Sequence, residues 1–164
     1  MKNRILLAAA AVMLVLGLVA AWQSWQLHSS PAASNHALTD ATRTAEVQQS
    51  VSKALTSVLS YDHANPSATE QAAEQWLVDD AHDEYETLYA SLAERAPGQK
   101  LTLTAVVQTV GVKELDDNSA TALVFLDQSS QRASDDEASV SAAQLSVDVV
   151  KRDGVWKVSG LTPL

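Results

Sequence analysis

The chain has 164 residues, 20 of them acidic and 11 basic, and its formal net charge is −9 at pH 7. This acidic balance makes nucleic acid a poor partner, because binding to phosphate backbones depends on a basic surface. The chain has no cysteine, which excludes disulfides, thiolate zinc sites and lipoprotein processing. It also lacks a glycine-rich phosphate loop or a nucleophile elbow, so we expect no cofactor.

The N-terminal segment has the composition of a membrane anchor. Residues 5–22 carry no charge and follow Lys2 and Arg4. Continued to Leu27, an uncharged helix would be about 34 Å long, enough to cross a hydrocarbon core of about 30 Å. Basic residues favour the cytoplasmic side. We therefore predict a single-pass plasma-membrane protein in which residues 1–27 form a cytoplasmic tip and a transmembrane anchor.

A cleaved signal peptide is the alternative interpretation of this segment. Val19, Ala20 and Ala21 place small residues where a signal peptidase could cut. The apolar run is longer than the usual core of about 7 to 15 residues, which favours a permanent anchor. Residues 28–37 are small and polar and include a proline, so we predict a linker there. Residues 38–164 then form an extracytoplasmic α+β domain.

Helices are predicted in the first half of this domain, because apolar residues recur three and four positions apart. The first helix covers residues 39–60. The second opens with Ser67 and Glu70, which have the spacing of a capping box. The third runs from Asp79 to about residue 95, where Pro97 should stop it.

Strands are predicted in the second half. The apolar alternation changes parity at Gln108, where a bulge would return both sets of side chains to one face. Residues 121–128 are apolar on both parities, as in a central strand. Asp153 and Gly154 predict a type I′ hairpin. The result is an α+β domain with three helices packed on one face of a bent four-stranded antiparallel sheet.

The same hairpin signal also predicts the pairing of the last two strands. A two-residue loop at Asp153 and Gly154 places Lys151 opposite Trp156 and Val149 opposite Val158. The side chains of the second pair and of Trp156 should then face inward.

Tyr61, Asp62 and Asp127 are candidate cavity residues. In ketosteroid isomerases a tyrosine and aspartates in an apolar cavity perform acid–base chemistry, and these three side chains could meet over the sheet. The interpretation that we favour is structural: Tyr61 packs on the sheet, Asp62 caps the helix end, and Asp127 pairs with Gln108. No histidine pair has the spacing of a zinc helix, so we expect no metal site and no enzymatic activity.

Several short motifs resemble one protein family. In chain order they are the N-terminal anchor, Ser60-Tyr61-Asp62, Glu84-Tyr85, Phe125-Leu126-Asp127-Gln128, and a closing strand from Asp153-Gly154 through Trp156 to Leu164. Together they are similar to Mce-associated membrane proteins. These are single-pass actinobacterial envelope proteins that accompany the mammalian-cell-entry (Mce) machinery for lipid and sterol import.

The resemblance implies an external domain with the nuclear transport factor 2-like cone fold. It also implies an accessory role, in which the protein stabilises an Mce-type import complex and has Mce proteins or other envelope membrane proteins as partners. It brings no catalytic residues with it. Three alternatives stay open: a cone that binds a lipid or sterol directly, a cone-fold enzyme of the isomerase or cyclase type, and a type IV secretion inner-membrane subunit, which has a similar plan of anchor and cone.

A partner surface is predicted on the strand at residues 121–128. Val124 and Leu126 lie on the opposite side from Leu123 and Phe125, and in one interpretation they form an apolar outer face that receives another protein or a second copy of the chain. The interpretation that we favour is that the helices of the domain or its terminal strand cover Val124 and Leu126.

Overall fold

The structure is a computed structural model that describes residues 35–134 and 136–164. The predicted anchor, the alternative cleavage position and most of the predicted linker lie outside the described residues. Within the described part of the chain, no helix combines the length and the apolar character of a membrane span.

The domain begins within the predicted linker. The compact unit comprises His36–Leu164. The backbone N–H of His36 donates a hydrogen bond to the carbonyl of Leu115 at 2.8 Å. Ala37 is buried. These two residues, which fall in the predicted linker, are thus held against the end of a strand.

One antiparallel sheet of five strands forms the frame of the domain, and its strands are neighbours in chain order. They are β1 (Tyr61–Asp62), β2 (Thr102–Leu115), β3 (Ser119–Gln131), β4 (Ser139–Arg152) and β5 (Val155–Pro163). The predicted antiparallel sheet is confirmed, but the prediction of four strands is wrong. The additional strand is β1, and two residues are too few to show the alternation by which a strand is recognised.

Three helices accompany the sheet: α1 (Ala41–Val58), α2 (Pro66–Trp76) and α3 (Asp79–Gln99). Asp40 caps α1, since its carboxylate accepts a hydrogen bond from the Arg43 N–H at 2.9 Å. The predicted capping box at the start of α2 is wrong. That helix begins with Pro66, which suits the first helical position because it has no N–H to satisfy, and the Ser67 hydroxyl donates to Asn65 Oδ1 instead.

The third helix is longer than predicted. It continues past Pro97 to Gln99, so the predicted end near residue 95 is wrong. The chain leaves the helix at Lys100, which has a φ of +48°. This left-handed conformation is common directly after a helix C-terminus.

Bulges in β2 keep its apolar side chains on one face. Its pairing with β3 is interrupted between Val107 and Thr109, which confirms the bulge predicted at Gln108, and again between Val112 and Glu114. Each extra residue reverses the alternation. The apolar residues on both sides of the bulges therefore pack on the core, namely Val107, Val110, Val112 and Leu115.

The hairpin between β4 and β5 forms as predicted. Asp153 and Gly154 have φ values of +51° and +80°, as a type I′ turn requires. Lys151 lies opposite Trp156 and Val149 opposite Val158. Trp156 and both valines are buried, so the predicted inward face is confirmed.

The core lies between the helices and one face of the sheet, here called the inner face. Val124 and Leu126 are only 0% and 1% exposed and belong to this core. The prediction that they form an outer surface is therefore wrong. Because β3 is apolar on both parities, its own pattern does not determine which side chains face the core. Its pairing with β2 determines this orientation. Val124 lies opposite Val110 and Leu126 lies opposite Val107.

Candidate functional site

The predicted cavity residues Tyr61 and Asp62 are neighbours with different surroundings. Tyr61 pairs with Leu103 on the inner face and is only 3% exposed. The side chain of Asp62 is 57% exposed, and its Oδ1 accepts a hydrogen bond from the Ala64 N–H at 2.9 Å. Asp62 thus stabilises the turn that follows β1.

Asp127 lies on the other side of the sheet. It follows Leu126, which faces inward, and it pairs with the half-exposed Val106. Its Oδ2 accepts a hydrogen bond from Gln108 Nε2 at 2.9 Å, which confirms the predicted contact between these two residues. Since the sheet separates Asp127 from Tyr61, the acid–base arrangement considered from the sequence does not assemble.

A metal site needs several histidine or carboxylate side chains around one point. Among the residues that the structure describes, no three His, Asp or Glu side chains converge as metal ligands. His82 has one carboxylate nearby, with its Nδ1 3.9 Å from Glu86 Oε1. This contact is an exposed pair on one helix.

Three exposed apolar side chains of β2 and β3 lie on the outer face of the sheet, and we call them the outer patch. Val106, Leu123 and Phe125 are 49%, 39% and 46% exposed. Leu123 lies between Gly111 on β2 and Ser146 on β4. Because these neighbours are small, they leave the sides of Leu123 uncovered. The sequence shows both apolar sets of β3 but not which one is outside.

Polar side chains border the outer patch. Asp127 and Gln108 form one hydrogen-bonded pair beside it. On the other side, the Thr121 hydroxyl donates to Asp148 Oδ1 at 2.8 Å. An apolar centre with a hydrogen-bonded polar border is the usual composition of a protein–protein contact.

An apolar cleft opens between the helices and one end of the sheet. At this end β3 finishes, β4 begins and β5 finishes. Its volume is about 660 Å³, within the range of small-molecule sites. Most of its lining is apolar, but Glu84 and Gln128 add polar groups. The apolar lining includes Leu59, Ala81, Tyr85, Leu126, Ala143, Leu145 and Leu161. No single sequence motif indicated this cleft, because its lining comes from five separate elements.

A more polar recess surrounds Tyr61. It has a volume of about 720 Å³ and is lined by hydroxyl and amide side chains such as Ser57, Asn65 and Gln75. Asp62 borders this recess, whereas Asp127 does not. The recess therefore contains Asp62 as the one carboxylate of its described lining, together with Tyr61 and Lys53.

Part of the chain is similar to a mycobacterial protein. No protein-family model matches the chain. An uncharacterized protein of Mycobacterium tuberculosis, found in two strains, is 36% identical over 73 residues, which is 44% of this chain and 33% of the relative. The match thus spans only about a third of the relative's length.

Solved structures with low sequence identity match most of the domain. An IcmL-like type IV secretion system protein from Legionella pneumophila is 15% identical with a TM-score of 0.61, covering 73% of this chain and 92% of that one. CagV, a VirB8 homologue of the Helicobacter pylori type IV secretion system, is 9% identical with a TM-score of 0.57, covering 73% and 96%.

A third solved structure is named after its fold. It is a nuclear transport factor 2-like (NTF2-like) superfamily protein from Salmonella enterica, 11% identical with a TM-score of 0.50, covering 74% of this chain and 92% of that one. The domain has an NTF2-like fold. This confirms the α+β cone expected from the sequence, and at such identities the likeness concerns the fold alone.

Proposed function

We propose that the protein is a non-catalytic accessory or assembly subunit of an Mce-type lipid or sterol import complex at the cell envelope. The outer patch carries this proposal. It presents a phenylalanine and two aliphatic side chains at the centre of a hydrogen-bonded polar border. Aromatic residues are enriched in protein contacts and bury much area at a small cost in conformational entropy.

The non-catalytic part of the proposal is supported by the separation of the acid–base candidates. Tyr61 is buried on the inner face, Asp62 stabilises a turn, and Asp127 pairs with Gln108 on the outer face. General acid–base catalysis needs such groups within hydrogen-bond reach of one substrate. Because Asp127 lies on the other face of the sheet from Tyr61, the three groups together do not provide that geometry.

The membrane location is part of the proposal and is supported by the sequence. The uncharged residues 5–22 behind Lys2 and Arg4 favour an anchor with a cytoplasmic N-terminus and an external domain. Protease added to cells whose outer layers have been opened should digest the domain. Protection equal to that of a cytoplasmic control protein would reverse the topology.

The choice of an Mce-type complex rests on the motifs that resemble Mce-associated proteins, and the distant relative is mycobacterial. The type IV secretion structures share the cone but differ in about nine of ten residues, so their partners are not transferred to this chain.

Purification from native membranes tests the partner assignment. The tagged full-length protein, extracted in mild detergent, should bring Mce proteins or their permease with it, as identified by mass spectrometry. A Leu123→Ser/Phe125→Ser variant should lose these partners. Val140→Ser is the matched control, because Val140 is 69% exposed at the start of β4, away from the outer patch. Recovery without any Mce component would contradict the assignment.

The apolar cleft supports a second candidate function, direct binding of a lipid or sterol. Its volume of about 660 Å³ and its apolar lining suit one apolar molecule. A photoactivatable sterol or fatty acid should then label the cleft in membranes, and Ala143→Trp, which fills it, should abolish the labelling. Undiminished labelling of that variant would remove this candidate.

A further inference from the structure

The tyrosines of the chain, Tyr61, Tyr85 and Tyr89, lie together where β1, α2 and α3 meet. The rings of Tyr85 and Tyr89 are stacked with centroids 5.4 Å apart. Tyr61 meets Tyr89 edge to face at 6.2 Å. The sequence contains no other tyrosine, so this cluster contains every phenolic hydroxyl of the chain.

Two of these three hydroxyls are buried without a partner among the described residues. Within the described part of the chain, the hydroxyl oxygens of Tyr61 and Tyr85 are buried and have no hydrogen-bond partner. The Tyr89 hydroxyl, in contrast, lies 3.3 Å from the Pro66 carbonyl and also forms a hydrogen bond with the Glu70 carboxylate. A buried polar group without a partner destabilises a fold, and such groups are therefore found where a ligand completes the bonding.

A recess between α2 and α3, the tyrosine recess, opens at the same place. Tyr85 and Tyr89 form its aromatic wall, and Glu70, Glu74 and Glu86 carry carboxylates at its exposed border. Ala73 and His82 complete the lining. Its volume is about 360 Å³, near the lower end for ligand sites, so it suits a single side chain.

The charge of the tyrosine recess is unbalanced. No Lys or Arg is among the described residues that line it. Burial, followed by the Glu70 carboxylate, raises the pKa of Tyr89 to about 12. Burial also raises the pKa of Tyr85, with smaller contributions from Tyr89 and Glu70. The hydroxyls therefore stay protonated at neutral pH, and their oxygens can accept hydrogen bonds from a ligand.

We propose that the tyrosine recess receives an arginine side chain of a partner protein. Carboxylates attract its charge, the aromatic faces stabilise a cation, and the hydroxyl oxygens accept hydrogen bonds. Arginine fits better than lysine, because its planar guanidinium carries five donors and stacks on aromatic rings. This inference rests on the proposed function in one respect, namely that the arginine belongs to a partner protein.

The direct test uses the full-length chain in detergent micelles, labelled with ¹³C on its tyrosine rings. Three tyrosines give few signals, and Tyr→Phe variants assign them. At constant ionic strength, Nα-acetyl-arginine methylamide should shift the Tyr85 and Tyr89 signals saturably. The citrulline analogue, which has nearly the same shape and no charge, should not. Equal shifts with both compounds, or tighter binding of the lysine analogue, would overturn the proposal.

Glu70→Gln and Glu84→Gln form a matched pair for this test. Both remove one negative charge, but Glu84 borders the apolar cleft and not the tyrosine recess. Glu70→Gln should weaken arginine binding about threefold to fivefold, as expected for one partly exposed ion pair, and Glu84→Gln should leave it unchanged. Equal affinities in both variants would contradict the assigned site.

Tyr85→Phe separates binding from folding. The variant keeps the ring but removes a buried hydroxyl without a partner, so the melting temperature should stay the same or rise. Arginine binding should nevertheless weaken, because an acceptor is lost. A lower melting temperature together with unchanged arginine binding would show that the hydroxyl has a structural role instead.

The partner source is tested in membranes. A photoreactive residue at position 74 should cross-link to a partner peptide that contains arginine, and replacing that arginine with glutamine should abolish the cross-link. A cross-linked peptide without arginine would overturn the proposal. The outcome is distinct from that for the proposed function, since a saturable arginine titration would stand even if purification recovers no Mce protein.

Discussion

The two faces of β3 have nearly the same apolar character and opposite exposure. Val124 and Leu126 lie beneath the helices and are 0% and 1% exposed, whereas Leu123 and Phe125 lie on the outer face at 39% and 46%. Burial removes apolar surface from water and stabilises the fold. The exposed pair contributes less to folding, so its surface is available for binding. Alternation along one strand thus separates a stabilising face from a candidate recognition face.

The largest expected effect comes from alanine substitutions at two adjacent positions of β3, one on each face. Leu126→Ala should lower the free energy of unfolding by about 2 to 5 kcal/mol, because it leaves a cavity in the core. Phe125→Ala should change it by less than about 1 kcal/mol, since its side chain is half exposed. Urea unfolding of the two variants measures both values. A loss for Phe125→Ala as large as that for Leu126→Ala would show that the outer face is also part of the stabilising core.

The sequence was sufficient to predict features that depend on local chemistry. The turn at Asp153 and Gly154 determines the pairing of Lys151 with Trp156, because two adjacent residues with positive φ allow only a tight hairpin. The bulge at Gln108 was predictable because the apolar parity changes there. In both cases a few neighbouring residues contain the necessary information.

Features that depend on distant contacts were missed. The orientation of β3 is set by its pairing with β2 and by the helices above it, so the pattern of β3 alone does not show that Val124 and Leu126 face the core. β1 exists because Tyr61 pairs with Leu103 across more than forty residues. The tyrosine recess likewise combines Tyr85 with Glu70 from another helix. Spacing along the chain does not record such contacts.

Glycine substitutions test the turn between β4 and β5. This turn fixes the register of the two strands and therefore which of their side chains face inward or outward. Gly154 has a φ of +80°, so Gly154→Ala should lower the free energy of unfolding by about 1 to 2 kcal/mol. Gly98→Ala is the matched change. Gly98 lies in α3 without positive φ or any atom near an added Cβ, and alanine should stabilise that helix by about 0.5 to 1 kcal/mol. Urea unfolding that shows both variants destabilised would contradict this assignment of backbone strain.

The smallest expected effect is the loss of stability at alkaline pH that the tyrosines of α3, Tyr85 and Tyr89, should cause. An unfolded tyrosine ionises near pH 10, whereas burial raises the pKa of Tyr85 and raises that of Tyr89 to about 12. Since the folded pKa is the higher one, the unfolded state loses its protons first as the pH rises. The tyrosine contribution to stability should be intact below about pH 10 and should be lost as the pH approaches about 12.

Urea midpoints measured between pH 8 and 11.5 test this alkaline loss, with urea chosen because guanidinium could occupy the tyrosine recess. Lysines ionise in the same range, so the informative quantity is the difference between the unaltered chain and a Tyr85→Phe/Tyr89→Phe variant. The variant should lose less stability above pH 10, because Phe cannot ionise in the unfolded state. If the two curves fall in parallel, these hydroxyls ionise as readily in the folded protein as in the unfolded chain. The tyrosine recess would then be open to water, and its hydroxyls would no longer be the desolvated acceptors that an arginine side chain requires.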